Sequence, residues 1–254
     1  MFSKEQQPEE KNTYLLNIEQ SGNMSKPKHI GIIIDGNRRY AKKKGLLGYK
    51  GHSFGVKKVE QLIDWCNEHK IKELTLYTLS TNNLNRSKIE VKFLMSLLKQ
   101  YLDKSLKEAK EKKPKTQVKF IGNLNMFDDE IKKLMIDLMV ITRRARGLKV
   151  NFAVAYDGRQ EIINAVRNIA KKVRYKNFPI KRINEKMFAK ELYLNSYPDL
   201  IIRTSETRLS GFLLWQASYS ELIFLPKKLW PDFTKQNFVN CIHEYQQRNR
   251  KYGR

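Results

Sequence analysis

The sequence predicts a single α/β domain built on a mainly parallel central β-sheet flanked by helices. Three observations carry this expectation. Short apolar runs of strand character alternate with longer segments whose apolar residues recur at three- and four-residue spacing. Strands separated by helices call for right-handed crossovers, hence parallel neighbours covered on both faces. With 254 residues, 41% of them hydrophobic, the chain is long enough to bury one sizeable core, and no 20–50-residue repeat divides it.

Taken in order, residues 1–26 read as a flexible polar extension ending before Pro27, and residues 27–254 as the domain. Ile30–Ile34 is an unbroken apolar run suited to a strand buried on both faces. A basic-faced helix follows from about Arg38 to Lys44, then another from about Ser53 to Glu68 with Val56, Val59, Leu62 and Ile63 on one face. Glu73–Leu79 reads as a strand. Residues 88–111 form a long helix, with Val91, Leu94, Leu98, Tyr101, Leu102 and Leu106 as its apolar stripe. Gln117–Ile121 is a short strand, Asp128–Ala145 a helix, Leu148–Ala155 a strand and Gln160–Arg174 a helix. A short helix near Glu185–Leu192 precedes the strand Asp199–Arg203. Glu221–Leu225 is the last strand and Thr234–Tyr252 the last helix.

Fifty Lys and Arg against 26 Asp and Glu give a formal charge of +24. Such a charge suits nucleic acid, an anionic membrane or a small polyanionic substrate. It is unevenly spread. Residues 1–24 are net −2, residues 99–119 net +5 and residues 167–186 net +7. The two basic runs read either as solvated helix faces or as surfaces for an anionic membrane. No stretch is long and apolar enough to span a bilayer, and the N-terminus lacks the pattern of a secretory signal. Cys66 and Cys241 lie far apart, outside any metal or redox spacing, and read as two buried thiols. A reducing, cytoplasmic setting is the expectation, with peripheral contact to a membrane. No nucleic-acid partner is expected, because charge alone suggests one and no recognition element accompanies it.

Three polar clusters follow strand ends, where parallel sheets hold their ligands. The first is Asp35-Gly36-Asn37-Arg38-Arg39, the second Ser80-Thr81-Asn82-Asn83 with Arg86, the third Arg203-Thr204-Ser205 with Arg208 and Ser210. A carboxylate beside guanidinium groups suits Mg²⁺ with phosphate oxygens, although Asp35 as a plain helix cap fits equally well. Arg203, Arg208 and Ser210 suit a second diphosphate. Glu221, at the start of the last strand, is either a second metal oxygen or an ordinary strand-end carboxylate. The acidic triplet Asp128-Asp129-Glu130 suits the first turn of a helix better than a metal. A Walker A loop and a GxGxxG fingerprint are absent from the sequence.

Several runs resemble the cis-prenyltransferases of the undecaprenyl diphosphate synthase family: His29 to Ala41 with Gly51-His52, Leu74 to Tyr77, Asn83 to Arg86, Asp199 to Thr204, Arg208 to Gln216, Tyr219 to Leu222 and Leu229 to Phe233. The resemblance covers residues 28–254. It implies an enzyme that joins isopentenyl diphosphate to an allylic prenyl diphosphate with Mg²⁺, giving a cis-polyprenyl diphosphate of the kind that becomes a glycosyl carrier. It also implies a domain with an apolar tunnel for the tail, lined by the stripe of the 88–111 helix with Phe152 and Val154. By the same resemblance Asp35 is catalytic and holds the metal with Glu221, and Asn83, with Ser80, orients the groups that lose the proton. Gly36, Asn37, Arg38, Arg39, Tyr40 and His52 would hold the allylic diphosphate. Arg203, Arg208, Leu209 and Ser210 would take isopentenyl diphosphate, and Thr81, Asn82, Leu84 and Arg86 would line the substrate loop. A homodimer is implied, with a heteromer as the alternative.

Four departures from the family pattern stand out. Gly48 replaces an arginine, with Lys50 as a substitute charge. Asn82 and Leu84 replace a glutamate and a tryptophan. The Arg203–Arg208 spacing is one residue short, and Lys251-Tyr252-Gly253 carries Lys where relatives carry Arg. Two alternatives stand beside chain elongation: a branched, head-to-middle condensation on the same fold, and a non-catalytic or weakly catalytic subunit of a heteromeric synthase.

Overall fold

The computed structural model describes residues 25–248. Most of the expected 1–26 extension and the Lys251-Tyr252-Gly253 tail lie outside them. Six parallel strands form one sheet: β1 (His29–Ile33), β2 (Glu73–Ser80), β3 (Gln117–Ile121), β4 (Lys149–Tyr156), β5 (Leu200–Thr204) and β6 (Glu221–Leu225). Their spatial order is β3-β4-β2-β1-β5-β6. Every residue of β1 and β5 is buried, as expected for central strands covered on both faces.

The helices are α1 (Asn37–Lys43), α2 (Gly51–Glu68), α3 (Lys88–Glu111), α4 (Asp129–Thr142), α5 (Gly158–Lys176), α6 (Glu185–Glu191) and α7 (Lys235–Gln247). Their starts follow from local chemistry. Ser87, Asp128, Asp157, Asn184 and Thr234 each accept a backbone N–H of the first turn that would otherwise lack a partner. The acidic triplet is such a start: Asp128 Oδ1 accepts from Ile131 N at 2.8 Å, and Asp129 and Glu130 occupy the positive end of α4. The last helix is shorter than expected. After Gln247 the backbone turns extended at Arg248, whose side chain is tied to Glu221 and to the Leu222 carbonyl.

One sheet face packs on a core that includes Leu62, Leu102, Met135, Phe152 and Trp230; the other packs on Phe212, Leu213 and Ala217 from the segment between β5 and β6. Both cysteines are free and buried, and burial pushes both thiols up, Cys241 to about 12, so neither is poised as a nucleophile. Among the described residues no helix is long and apolar enough to cross a membrane.

Chain direction positions the site. β1 lies between β2 and β5, so the loops leaving β1 and β5 diverge at their carboxyl ends. Both basic runs lie elsewhere. α3 starts at the carboxyl end of β2 and finishes near the start of β3, so residues 110–119 sit at the opposite end of the sheet. α5 likewise descends from the end of β4, carrying residues 174–186 away from the divergence.

Candidate active site

A cleft of about 540 Å³ opens at that divergence. Its walls carry five basic side chains, Arg38, Arg39, Lys42, Arg86 and Arg203, against one carboxylate, Asp35. A diphosphate entering it meets a strongly positive field in a partly desolvated space.

The Asp35 backbone is fixed from both sides. Its N–H donates to Thr204 Oγ1 at 3.1 Å, while its carbonyl accepts from Thr204 Oγ1 at 2.7 Å, Ser205 Oγ at 3.1 Å and Trp230 N at 2.9 Å. Its carboxylate accepts from Gly36 N at 2.7 Å and from Arg203 Nη2 at 3.1 Å. Gly36 has φ +107°, and a Cβ there would meet Ser205 Oγ at 2.4 Å, so only glycine permits this turn. Arg203 is 4% exposed. Its Nη1 donates to Ser210 Oγ at 2.7 Å and to the Arg208 carbonyl, and its buried Nε has no partner. Ser205 and Ser210 hold left-handed φ values of +72° and +49°, strain concentrated in the loop that wraps Arg203.

Behind the opposite wall a buried carboxylate, outside the lining itself, organises the cations. Glu90 Oε1 accepts from Arg86 Nη1 at 2.9 Å and lies 3.6 Å from both Arg38 Nε and His52 Nε2. Burial first, then the neighbouring Arg86 guanidinium, pushes the His52 imidazole down to about 4. His52 is therefore neutral at pH 7. Gly48 packs beside Arg38: a Cβ there would lie 3.7 Å from Arg38 Nε, an ordinary contact, so the position does not demand glycine. Lys50 does not substitute in the cleft; it lines a separate surface groove, and Lys42 lines the cleft instead.

The loop after β2 is a short 3₁₀ turn, Thr81–Asn85. Asn83 Oδ1 accepts from Ser80 N at 3.1 Å, and the Ser80 hydroxyl accepts from the Asn83 backbone. The pairing of β2 with β4 shifts register between Tyr77 and Ser80, at the end of β2 that borders the cleft.

The cleft brings together Asp35, Gly36, Asn37, Arg38, Arg39, His52, Ser80, Asn82, Asn83, Arg86, Arg203 and Ser210. The other expected residues do not line it. Tyr40 packs on Phe54, with ring centroids 5.3 Å apart, and Leu84 and Leu209 pack on the two cores. Thr81 lies in the turn without joining the wall. Arg208 is exposed and its Nη1 donates to Glu206 Oε2 at 2.9 Å. Glu206 also accepts from Arg39 Nη2 at 3.0 Å, so one carboxylate ties the two arginines. Glu221 opens β6, whose start lies beside the start of β5, at the sheet end opposite Asp35, and it accepts from Arg248 Nη1 at 2.9 Å. Within one chain Glu221 does not complete a metal site with Asp35. Among the described residues no group of three or more His, Cys, Asp or Glu side chains could hold a metal.

Sequence reasoning missed Lys42, Tyr77, Thr78, Glu90 and Glu206. Lys42 was legible as one helical turn from Arg38 and Arg39. Glu90 was legible only as the i+4 partner of Arg86. Tyr77 and Thr78 line the cleft at the end of β2, beside the β2–β4 register shift, which no local pattern announces.

Beyond the cleft lies an apolar cavity of about 110 Å³. Val59, Leu79, Leu94, Leu98, Tyr101, Phe120, Phe152 and Val154 are among its walls. Ile34, Asn37, His52 and Thr78 line both spaces, so a charged cleft adjoins an apolar cavity across one ring of residues.

Comparison with known proteins identifies the family. The family model of the undecaprenyl diphosphate synthases matches residues 33–253. A tritrans,polycis-undecaprenyl-diphosphate synthase (geranylgeranyl-diphosphate specific) of Thermoplasma volcanium is 41% identical over 232 residues, covering 90% of each chain. A ditrans,polycis-undecaprenyl-diphosphate synthase ((2E,6E)-farnesyl-diphosphate specific) of Micrococcus luteus is 41% identical over 230 residues, covering 89% of this chain and 91% of the relative. Among solved structures, lavandulyl diphosphate synthase from Lavandula x intermedia, in complex with dimethylallyl diphosphate, superposes with a TM-score of 0.85 at 35% identity. It covers 90% of this chain and 99% of that one. A cation-lined cleft joined to an apolar cavity, on a fold and sequence shared along nearly the whole chain, makes this chain a member of the undecaprenyl diphosphate synthase family of cis-prenyltransferases, enzymes that condense isopentenyl diphosphate with an allylic diphosphate.

Proposed function

We propose that the chain elongates an allylic prenyl diphosphate with isopentenyl diphosphate in a Mg²⁺-dependent reaction, giving a cis-polyprenyl diphosphate that serves as a glycosyl-carrier precursor. The observation that carries this reading is the adjoining pair of spaces, one cationic and one apolar. A diphosphate head with a hydrocarbon tail matches both at once.

Arg38, Arg39, Lys42 and the neutral His52 N–H face the allylic diphosphate, whose negative charge grows as it leaves. Preorganised donors in a partly dry cleft stabilise that charge more than water would. Arg203 and Ser210, braced against each other and Asp35, present the donors for isopentenyl diphosphate. Asn83, held by Ser80, orients the carbon that loses its proton. Ile34 and Thr78 admit the tail to the apolar cavity, where Phe152 and Tyr101 exclude water. Mg²⁺ fits the donor set. Asp35 offers a carboxylate with 38% of its side chain exposed at the cleft, and Mg²⁺ is ordinarily held by one or two carboxylates plus substrate phosphates. When bound, the ion would offset charge on the diphosphate oxygens.

A homodimer is part of the proposal. Ile136 and Val140 on α4, and Ile163 and Val166 on α5, are exposed apolar pairs at helical spacing that a second copy would cover. A cytoplasmic setting accompanies it, with two free thiols as its support.

A second reading has a specific observation behind it. The structural match to lavandulyl diphosphate synthase, together with Asn82 and Leu84 in the substrate loop, favours a branched head-to-middle condensation on the same diphosphate sites. Incubation with Mg²⁺, labelled isopentenyl diphosphate and either geranylgeranyl or farnesyl diphosphate separates the two. A ladder of linear cis-polyprenyl diphosphates supports elongation. A branched product formed from dimethylallyl diphosphate alone supports the second reading, and no product with any primer refutes both.

A further inference from the structure

The stretch from Gly36 to Val59 holds eight Lys or Arg and no Asp or Glu. In its middle the chain turns between α1 and α2 and exposes two leucines, Leu46 at 38% and Leu47 at 59%. Phe54, 38% exposed, stands behind them on α2, and Ile89, 69% exposed, lies at the start of α3. Lys43, Lys44 and Lys50 are exposed around the leucines. Gly45, with φ +70° and open space around it, lets the chain present them at a tip. Exposed large apolar side chains inside a ring of lysines, without a nearby acid in the segment, match an anionic lipid surface: the apolar groups enter the headgroup boundary while the lysines meet lipid phosphates. Burying the same leucines in a protein core would leave the lysines without counter-charge.

We propose that the Leu46–Leu47 tip docks this protein on an anionic membrane. A second surface competes for that role. Tyr175, 71% exposed, and Ile180, 70% exposed, sit in the basic run of residues 167–186. That run lies at the end of the sheet opposite the cleft, whereas the tip lies on the cleft side, between α1, which carries Arg38, Arg39 and Lys42, and α2, which carries His52. Behind the tip, Leu46, Phe54, Phe93 and Leu97 line a surface groove of about 430 Å³ between α2 and α3. Leu97 also lines the interior apolar cavity. Leu97 thus borders both the cavity and the groove, and docking through the tip would set this shared wall beside the bilayer as a lateral route for a hydrocarbon tail. This last link rests on the proposed function; the docking itself rests on exposure and charge alone.

The test is sedimentation of the full chain with vesicles of phosphatidylcholine containing 30% phosphatidylserine, against phosphatidylcholine alone. The docking account expects binding to the anionic vesicles only. Leu46→Ser with Leu47→Ser weakens it at least about tenfold, and Lys43→Gln with Lys44→Gln weakens it and flattens its salt dependence, while Tyr175→Ser with Ile180→Ser leaves it unchanged. Loss of binding in the Tyr175 and Ile180 variant instead, or absence of vesicle binding by the unaltered chain, overturns the proposal. So does self-association that the Leu46 and Leu47 variant abolishes, because the tip would then be an interface between copies. Condensation assayed in detergent keeps the readings distinct: an inactive chain that still binds through the tip refutes the function and leaves the docking standing.

Discussion

Asp35 and Arg203 show how a few side chains make a site from two distant stretches of chain. They are 168 residues apart, yet their side chains meet at 3.1 Å because β1 and β5 are neighbours in the sheet. The Arg203 guanidinium is buried, and with Asp35 removed it keeps Ser210 and the Arg208 carbonyl as partners. Glu90 acts differently, through the cations it holds. Glu90→Gln keeps the shape and removes the charge, so Arg86, Arg38 and His52 lose their common anchor. Urea denaturation is expected to show a loss of about 1–2 kcal/mol, less than for a fully buried pair because Arg38 is half exposed. Steady-state kinetics are expected to show a several-fold higher KM for the allylic diphosphate with a smaller change in kcat. An unchanged KM would remove Glu90 from the positioning of those arginines. His52 adds a pH dependence. Burial and Arg86 hold its folded-state value at about 4, below the ordinary 6.5. Between those values the unfolded chain binds a proton that the folded chain refuses, so its contribution is fully present above pH 6.5 and falls as the pH drops toward 4. The loss is on the order of 3 kcal/mol. Denaturation at pH 7 and pH 5 should therefore show a smaller pH effect in His52→Asn than in the unaltered chain.

Helices α1 and α2 approach so closely that two glycines are required between them. A Cβ on Gly51 would lie 1.9 Å from the Asn37 carbonyl oxygen, and one on Gly55 would lie 2.4 Å from Asn37 Oδ1. Gly51→Ala is expected to lower stability by about 1–3 kcal/mol and to weaken pyrophosphate binding, since it pushes Arg38 and Arg39 away from His52. Unchanged pyrophosphate affinity in a folded variant would contradict that coupling. Element positions were largely legible, because the apolar runs of β1, β4 and β5 and the stripe of α3 state their burial directly. The strand order was not, since which strand neighbours which depends on contacts far apart in sequence. The same division holds in the site. The clusters around Asp35, Ser80 and Arg203 were readable as strand-end polar groups. That Arg208 points outward to Glu206 and that Leu84 and Leu209 pack in the cores were not readable, whereas the place of Glu221 at the start of a parallel strand already implied the sheet end opposite Asp35. Residue type does not reveal where a loop side chain points.

At the scale of the whole molecule, the charge of +24 divides by position. A small share lines the cleft; much of the rest lies at the opposite end of the sheet or around the Leu46–Leu47 tip. The exposed pairs Ile136 with Val140 and Ile163 with Val166 predict a dimer. Sedimentation velocity should show a dimer for the unaltered chain and a monomer for Val140→Lys combined with Val166→Lys; a monomer in both cases would end that proposal. The central claim is that the Asp35 cleft is where the condensation takes place. Its most direct measurement is the rate of labelled isopentenyl diphosphate incorporation, with Mg²⁺ and an allylic primer, by the unaltered chain and by Asp35→Ala of matched stability. The account predicts product from the first and a loss of at least about a hundredfold in the second. Near-normal turnover by Asp35→Ala would contradict it.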